Sequence, residues 1–438
     1  ETGVAAVVDP QRDTAVYEAE AGRHGMRIRH AILTHFHADF VAGHLELRDA
    51  LGASISLGAQ ADAEYAFSPL PEDQPLEFGR VRLRAMETPG HTPESITILV
   101  YDLETSDESP LAALTGDTLF VGDVGRPDLR VELGWSADQL GRMLYESLQK
   151  LLELPDDTLV GPAHGAGSLC GKYLSPERVS TIGTQRRSNY ALQPMSRDEF
   201  VRAVLDDQPE APRYFTYDAV LNTKERQTLP QMLESSLRPL SYLEVQDLTR
   251  DGAQALDVRD PTRFAEGHLP GSINIPLGGT FASWVGALLD PKLPIVLVPD
   301  PGTEKDATVR LGRIGFDQVA GYLEPSAVGP SRLTEQSERI SAPDLARELA
   351  SANPPLIVDV RRPHEWEASR IEGSLNIPLA SLPDRMDEIP LGKRVIVHCA
   401  TGHRSAIAAS LLESQSGVRA ADLIGGMVSW SATLARSG

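Results

Sequence analysis

The stretch Thr34-His35-Phe36-His37-Ala38-Asp39-Phe40 carries two histidines and one aspartate, and it follows a short apolar run at residues 31–33. The apolar run predicts a buried strand, which places the polar residues at the end of that strand. Histidines two positions apart, with a carboxylate two positions further on, can converge on one centre. Functional sites form in loops of this kind. The pattern therefore indicates a set of ligands on a mixed α/β scaffold.

Three further segments each place one ligand-type residue beside a glycine, just after an apolar run. They are Pro89-Gly90-His91-Thr92, Thr115-Gly116-Asp117 and Gly161-Pro162-Ala163-His164-Gly165. The four motifs extend over about 160 residues, and in this order they resemble the metallo-β-lactamase superfamily. The resemblance implies an αββα sandwich, which we expect over residues 1–235.

One position departs from the binuclear hydrolases of that superfamily, which carry a second histidine directly after the aspartate. Here the position is Phe40, which cannot bind a metal, so a dinuclear zinc site is not expected. The remaining set of His35, His91 and Asp117 has the two imidazoles and one carboxylate typical of non-haem Fe(II) oxygenases. We therefore expect one Fe(II) per chain, with open positions for O₂ and a thiolate-type substrate.

Within the superfamily, the chain is similar to the persulfide dioxygenases at residues 34–39, 90–93 and 125–128. The resemblance implies that His35, His91 and Asp117 hold the iron. It also implies a group of residues that hydrogen-bond these ligands or the substrate, namely His37, Asp39 and His164.

Two roles are open for the pair Arg126 and Asp128, which either lie near the bound persulfide or form an ion pair that stabilises their loop. Cys170 follows His164 by six positions. This cysteine is either a sulfur acceptor near the iron or a small buried hydrophobic residue.

An internal repeat occupies the C-terminal half of the chain. Leu-Asp-Val-Arg-Asp-Pro begins at Leu256 and Val-Asp-Val-Arg-Arg-Pro begins at Val358, an offset of 102 positions. Each copy alternates strand-like and helix-like segments, which predicts a doubly wound α/β domain. We expect two tandem domains, at residues 236–330 and 336–438, with a linker near residues 324–341.

The second copy contains the segment Val395-Ile-Val-His-Cys399-Ala-Thr-Gly-His-Arg404-Ser405, an apolar strand followed by a loop and a helix. Backbone N–H groups of such a loop can point at the sulfur, while the helix N-terminus and Arg404 add positive charge. These features favour the thiolate, so Cys399 is predicted to be a nucleophile. We expect the sulfur-binding loop to consist of Ala400, Thr401, Gly402, His403 and Ser405.

This cysteine loop resembles that of the rhodaneses, sulfurtransferases that carry sulfane sulfur on the loop cysteine. The resemblance implies that Cys399 and Arg404 are the catalytic residues of the second copy. In the first copy, the strand at residues 295–298 ends in Pro299-Asp300-Pro301-Gly302, and the copy contains no cysteine. We interpret the first copy as an inactive rhodanese that serves as a spacer or docking surface.

Composition limits the partners and the compartment. The chain has 62 acidic against 41 basic residues and a net charge of −21, which argues against nucleic-acid or membrane binding. Two cysteines in 438 residues indicate a reducing compartment, and we expect a cytoplasmic protein. The chain starts at Glu1 inside a strand-like run, so we expect further residues before it.

The complete chain resembles fusions of a persulfide dioxygenase with rhodanese domains. The implied partners are O₂, sulfite or thiosulfate and a low-molecular-weight persulfide, such as that of glutathione or coenzyme A; homo-oligomer formation stays open. Two alternatives are a zinc thioesterase resembling glyoxalase II fused to a rhodanese, and a non-enzymatic sulfur relay.

Overall fold

The computed structural model describes residues 2–206, 208, 211–324 and 335–437. The chain divides into two compact units. The first contains the described residues up to Gln231 together with Gly312–Gly315, and the second contains Met232–Leu311 and the described residues from Phe316 onward.

The N-terminal unit contains two sheets. The first has four parallel strands, in chain order: β1 (Val4–Val8), β2 (Arg27–Ile32), β3 (Ser54–Gly58) and β4 (Ser68–Leu70). The second has six strands: β5 (Leu76–Phe78), β6 (Val81–Glu87), β7 (Ile96–Asp102), β8 (Ala112–Gly116), β9 (Leu159–Pro162) and β10 (Ser180–Thr181). Its order is β10-β9-β8-β7-β6-β5, in which β8 and β9 are parallel and the other neighbours are antiparallel.

The same unit contains helices, several of which cover the outer faces of these sheets. They are α1 (Ala15–Arg23), α2 (His44–Leu51), α3 (Ala137–Leu151), α4 (Ile182–Ser188), α5 (Arg197–Leu205) and α6 (Tyr214–Leu221), with α7 (Leu229–Ser236) after them. Short 3₁₀ turns lie at Val131–Leu133 and Tyr190–Leu192.

The alternation of side chains along the strands explains why each sheet packs against the other sheet on one face and against helices on the opposite face. In β7, Ile98 belongs to the core between the two sheets, whereas its neighbour Leu99 packs with Leu144 of α3. In β2, Ile32 faces the same inter-sheet core, whereas Ala31 packs with Leu47 of α2. Because successive strand residues point to opposite faces, each sheet is buried on both sides. The expected αββα sandwich is confirmed.

The second unit contains two parallel sheets. The first is formed by β11 (Gln254–Asp257), β12 (Ile273–Asn274), β13 (Ile295–Val298) and β14 (Val319–Tyr322), in the order β12-β11-β13-β14. Its helices are α8 (Tyr242–Arg250), α9 (Pro261–Glu266), α10 (Phe281–Leu288) and α11 (Glu304–Arg313).

The second sheet of this unit is formed by β15 (Arg339–Ile340), β16 (Leu356–Asp359), β17 (Leu375–Asn376), β18 (Val395–His398) and β19 (Ala420–Leu423). Its order is β15-β19-β18-β16-β17. The helices are α12 (Ala342–Leu349), α13 (Pro363–Ala368), α14 (Leu382–Arg385), α15 (His403–Ser416) and α16 (Gly426–Ser437), with 3₁₀ turns at Leu379–Ser381 and Met386–Glu388.

The two sheets repeat one plan. Asp257 of β11 pairs with Val298 of β13, and Asp359 of β16 pairs with His398 of β18 in the same register. The predicted pair of doubly wound α/β domains is therefore confirmed. Their boundaries at 236–330 and 336–438, and the boundary of the first domain at 235, stay predictions. Most of the predicted linker lies outside the described residues, and no described helix is long and apolar enough to cross a membrane.

Candidate functional site

A carboxylate at the end of β1 holds the loop that follows β2. Asp9 accepts hydrogen bonds from the backbone N–H of Thr34 at 2.7 Å and from the Thr34 hydroxyl at 2.8 Å. Asp9 has a φ of +50°, and it is the one non-glycine with positive φ among the described residues. A strained backbone of this kind persists where the surroundings hold it, and it is often found at functional sites. Asp9 therefore positions the start of the His35 loop.

The loops after β2, β6 and β8 bring three buried side chains together. Nε2 of His35 lies 3.8 Å from Oδ2 of Asp117, and Nε2 of His91 lies 3.4 Å from the same oxygen. The ligand atoms of His35, His91 and Asp117 lie within 4.8 Å of one another. They are therefore close enough to hold one metal ion. The structure thus places the three residues predicted as metal ligands at one point.

Hydrogen bonds on the far side of each ring define which nitrogen is free. Nδ1 of His35 lies 2.9 Å from the Thr34 hydroxyl, whose hydrogen is donated to Asp9, so this Nδ1 must be the donor. Nδ1 of His91 donates to the carbonyl of Arg126 at 3.0 Å. Each ring therefore presents an Nε2 lone pair toward Asp117.

Several buried polar atoms at this centre make no hydrogen bond to the described part of the chain. They include Nε2 of His35 and His91 and both carboxylate oxygens of Asp117. Burial lowers the pKa of His35 well below its usual range and that of His91 to about 3, so both rings are neutral. Burial raises the pKa of Asp117 to about 6. Neutral imidazoles beside a buried carboxylate that accepts no hydrogen bond fit a metal cation.

A second group of ligand-type side chains lies beside the first. His37, Asp39 and His164 also have their polar atoms within 4.8 Å of one another. Nε2 of His164 is 3.4 Å from Oδ1 of Asp39 and 3.4 Å from Oδ1 of Asp117. Burial opposes protonation of His164, but these two carboxylates outweigh it and raise the pKa of the ring. His164 thus connects the two groups.

Aromatic rings flank this second group. The ring of Phe40 lies 4.3 Å from that of His37 and 6.2 Å from that of His164, measured between centroids. Phe120 lies 6.2 Å from His164. The residue that stands in place of a second-site histidine therefore contributes an apolar wall.

Arg126 is already paired with its loop neighbour. Its Nε and Nη2 donate to the two carboxylate oxygens of Asp128, both at 2.7 Å, and the side chain is 3% exposed. Its backbone N–H donates to the carbonyl of Cys170 at 2.9 Å, while its own carbonyl accepts from His91. This geometry favours the loop-stabilising interpretation, and it shows that the loop also orients His91.

Cys170 lies closer to the metal ligands than its sequence position indicates. Its sulfur is within 4.8 Å of the ligand atoms of Asp117 and His164. Burial, with Asp39 and Asp117 adding to it, raises the pKa of the thiol well above its usual range. The side chain is a buried, protonated thiol, which agrees with the hydrophobic interpretation while leaving the sulfur beside the candidate centre.

The sequence did not reveal the roles of two positions in this site. Asp9 is one, although an aspartate directly after an apolar strand is a signal of a site residue. Gly125 is the other: it belongs to the motif at 125–128, but its role lies in packing, because a Cβ there would lie 1.9 Å from the carbonyl oxygen of Asp117 and 3.0 Å from Nδ1 of His91. Only glycine permits this close approach.

The cysteine loop joins β18 to α15. The N–H of Gly402 donates to Sγ of Cys399 at 3.1 Å, and the Ser405 hydroxyl lies 3.6 Å from the same sulfur. Gly402 has a φ of +96°, a conformation that glycine adopts without strain. The structure thus places two predicted loop residues, Gly402 and Ser405, around Cys399. Of the other predicted residues, Ala400 and Thr401 complete the loop, and His403 is the first residue of α15.

Arg404 is held by a carboxylate. Its two terminal nitrogens donate to Glu365, both at 2.8 Å, and this pairing lowers the pKa of Glu365 to about 2. The negative charge of Glu365 therefore weakens the electrostatic effect of Arg404 on Cys399. His398 directs Nε2 to Asp359 at 3.3 Å, in the domain interior, as expected for a strand residue that faces away from the loop.

The first copy keeps the framework without the nucleophile. Arg259 pairs with Asp257 as Arg361 pairs with Asp359, in both cases through buried two-pronged contacts. Pro299 follows β13 where Cys399 follows β18. A proline there provides neither a thiol nor a donor N–H.

The fold and these two sites define an αββα domain with a candidate metal site, joined to two rhodanese-type domains, of which one has a cysteine. Residues 2–164 match the Metallo-beta-lactamase superfamily, and residues 241–325 and 341–433 match the Rhodanese-like domain. The chain belongs to the metallo-beta-lactamase superfamily and carries two rhodanese-like domains after the αββα domain.

The named relatives include a persulfide dioxygenase and a hydroxyacylglutathione hydrolase. Human mitochondrial persulfide dioxygenase ETHE1 is 31% identical over 209 residues, which cover 46% of this chain and 71% of that protein. Hydroxyacylglutathione hydrolase of Methylococcus capsulatus is 30% identical over 223 residues, covering 48% and 80%. The crystal structure of a metallo-beta-lactamase from Staphylococcus aureus subsp. aureus COL is similar with a TM-score of 0.67 and 30% identity, covering 74% of this chain and 93% of that one.

Replacing Gly125 tests the packing of the candidate centre. We expect Gly125→Ala to lose bound metal and about 1–3 kcal/mol of unfolding free energy, because its methyl group would overlap the Asp117 carbonyl. Metal content per chain and denaturant unfolding measure both effects. Gly165→Ala is the matched control, since a Cβ there would have no described atom within 4 Å apart from those of its chain neighbours. Equal metal content in the two variants would contradict the packing argument.

Proposed function

We propose that this chain is a bifunctional enzyme of sulfur metabolism, in which the N-terminal domain oxidises a low-molecular-weight persulfide and Cys399 transfers sulfane sulfur. The observation that carries the proposal is the buried pair of neutral imidazoles facing one carboxylate, together with a separate cysteine loop in the same chain. The similarity to human persulfide dioxygenase ETHE1 and the two rhodanese-like domains support it.

In this proposal, His35, His91 and Asp117 hold one Fe(II). Two imidazoles and one carboxylate leave positions open in this class of site. The iron, when bound, supplies the redox chemistry for oxygenation of sulfur. The complete reaction converts persulfide, O₂ and water into thiol, sulfite and two protons, so that the outer sulfur gains three oxygens.

Side chains and backbone carbonyls of the protein orient the metal ligands and hold protons near them. The carbonyl of Arg126 and the hydroxyl of Thr34 keep the Nε2 atoms of His91 and His35 deprotonated and aimed inward. His164, placed between Asp117 and Asp39, is the group suited to hold a proton beside the substrate. The apolar ring of Phe40 limits water and disfavours a second metal on that side.

The second reaction takes place on Cys399. Its thiolate attacks the outer sulfur of a persulfide, so that a new S–S bond forms on Cys399 and the original S–S bond breaks. The thiol of the donor leaves with the proton. The N–H of Gly402 and the start of α15 stabilise negative charge on the attached sulfur. Sulfite then attacks this sulfur, thiosulfate leaves, and the Cys399 thiolate is regenerated.

The two reactions complement each other, because sulfite formed by the first is the acceptor in the second. Linking both sites in one chain raises the effective concentration of this shared intermediate. The reverse direction, in which thiosulfate supplies sulfur to make persulfide, uses the same residues.

The cytoplasm is the proposed compartment, because a chain with two cysteines fits a reducing environment.

A zinc thioesterase is the second candidate function. The specific observation in its favour is the group His37, Asp39 and His164, which could hold another cation, together with the similarity to hydroxyacylglutathione hydrolase. Phe40 argues against it, because the ring replaces a ligand. The two candidates differ in the substrate they consume and in whether O₂ disappears.

Oxygen uptake distinguishes the candidates. With glutathione persulfide as substrate, we expect the protein to consume O₂ and release sulfite. His91→Ala is expected to lower the rate at least about 100-fold, because the variant lacks a direct metal ligand. The exposed His24→Gln is the matched control and keeps the full rate. Hydrolysis of a glutathione thioester without O₂ uptake would instead support the thioesterase.

Sulfur transfer is tested separately on the second site. With persulfide and sulfite supplied anaerobically, Cys399→Ser is expected to lose thiosulfate formation because no thiolate remains to accept the sulfur. Cys170→Ser serves as the matched cysteine variant and is expected to keep transfer, because its thiol is buried and protonated. Thiosulfate formation that survives in Cys399→Ser but fails in Cys170→Ser would overturn this assignment.

A further inference from the structure

A histidine in the cysteine-free rhodanese-like domain has one ring nitrogen without a partner. His268 lies between α9 and β12 and is 1% exposed. Its ring stacks on Phe264, with centroids 3.8 Å apart and planes 8° apart, and Nδ1 donates to the Phe264 carbonyl at 2.9 Å. Because a carbonyl can only accept, the neutral ring carries its lone pair on Nε2.

Two carboxylates from other parts of the chain face this lone pair. Nε2 of His268 is 3.9 Å from Oε2 of Glu335 and 3.9 Å from Oε2 of Glu413, which lies on α15. The three ligand atoms are within 4.8 Å of one another. In residues 2–206, 208, 211–324 and 335–437, no group makes a hydrogen bond to this Nε2. A buried, unpartnered nitrogen is therefore aimed between two acidic oxygens.

The neighbouring groups offset these charges only in part. Gly271 N–H lies 3.4 Å from Oε2 of Glu335, and the Ser337 hydroxyl lies 3.2 Å from Oε2 of Glu413. The exposed Arg419 is 3.6 Å from the other oxygen of Glu413. Burial, with Glu335 adding to it, raises the pKa of Glu413, while burial lowers the pKa of His268 and keeps it neutral. The arrangement lacks a positive charge at its centre.

The second copy has a permanent cation at the corresponding position. With the 102-residue offset of the repeat, Phe264 corresponds to Trp366 and His268 to Arg370. The guanidinium carbon of Arg370 lies 4.4 Å from the ring centroid of Trp366, as the imidazole of His268 lies on Phe264. The second copy therefore has a fixed positive charge at the position where the first copy has a metal-ligand type of residue.

We propose that His268, Glu335 and Glu413 form a binding site for a divalent transition-metal cation of the Zn²⁺ type. One imidazole nitrogen and two carboxylate oxygens are ligands that zinc accepts, with a fourth position left for water. The carboxylates would approach by a few tenths of an ångström on binding. The cation would connect the cysteine-free domain to α15, the helix that begins at the Cys399 loop.

Zinc binding to the full-length protein tests the site. After equilibrium dialysis against Zn²⁺, the unaltered protein is expected to hold one more zinc per chain than Glu413→Gln or His268→Gln. All three share the N-terminal centre, so the difference isolates this site. Glu372→Gln, an exposed carboxylate in the matching loop of the second copy, is the control and is expected to retain the extra zinc.

A thermal readout separates binding from folding. Zinc is expected to raise the unfolding temperature of the unaltered protein, but not that of Glu413→Gln. Without zinc, Glu413→Gln is expected to unfold at or above the temperature of the unaltered protein, because a like-charge contact is gone. If His268→Gln fails to fold, Glu335→Gln, which changes a partly exposed residue, replaces it. Equal zinc content in the unaltered protein, Glu413→Gln and Glu335→Gln would overturn the proposal, as would loss of the extra zinc in Glu372→Gln.

Discussion

The buried carboxylate of Asp117, facing two neutral imidazoles with unpartnered nitrogens, is the constraint on which the N-terminal domain depends. Burying such groups without a counter-charge costs several kcal/mol, and a metal cation removes that cost. The surrounding loops are built to keep this arrangement. Asp9 holds the loop of His35 through Thr34, and the loop of Arg126 holds His91 through a carbonyl. Gly125 permits the backbone of that loop to touch the carbonyl of Asp117.

The C-terminal half shows how one framework supports different sites. Both copies keep the buried Asp–Arg pair. In each copy an asparagine side chain, Asn274 or Asn376, also donates to the backbone carbonyls of that aspartate and that arginine. These interactions hold the ends of β11 and β16, whereas Pro299 and Cys399 follow the neighbouring strands β13 and β18. Pro299 and Cys399 can therefore occupy the same place in otherwise equivalent domains. In the cysteine-free copy, the proposed metal-binding residue is His268, which lies at another position.

The sequence predicts the site best where motif residues directly follow strands. His35, His91 and Asp117 are far apart in the chain, yet each follows an apolar run, and strand ends of a sandwich meet at one edge. The Cys399 loop is predicted for the same reason, since strand, loop and helix are contiguous. Asp9 was missed because its role depends on a hydrogen bond to a residue 25 positions away. The proximity of Cys170 to Asp117 and the group around His268 likewise depend on tertiary packing, which motif spacing does not encode.

Metal analysis of protein purified without oxygen tests the central claim most directly. The account predicts about one iron per chain, bound through His35, His91 and Asp117, and loss of that iron when Asp117 is replaced by asparagine. Two zinc ions in the N-terminal domain, retained in the presence of excess Fe(II), would contradict it. That result would mean that the group around His164 binds a metal despite Phe40, and that the domain is built for hydrolysis.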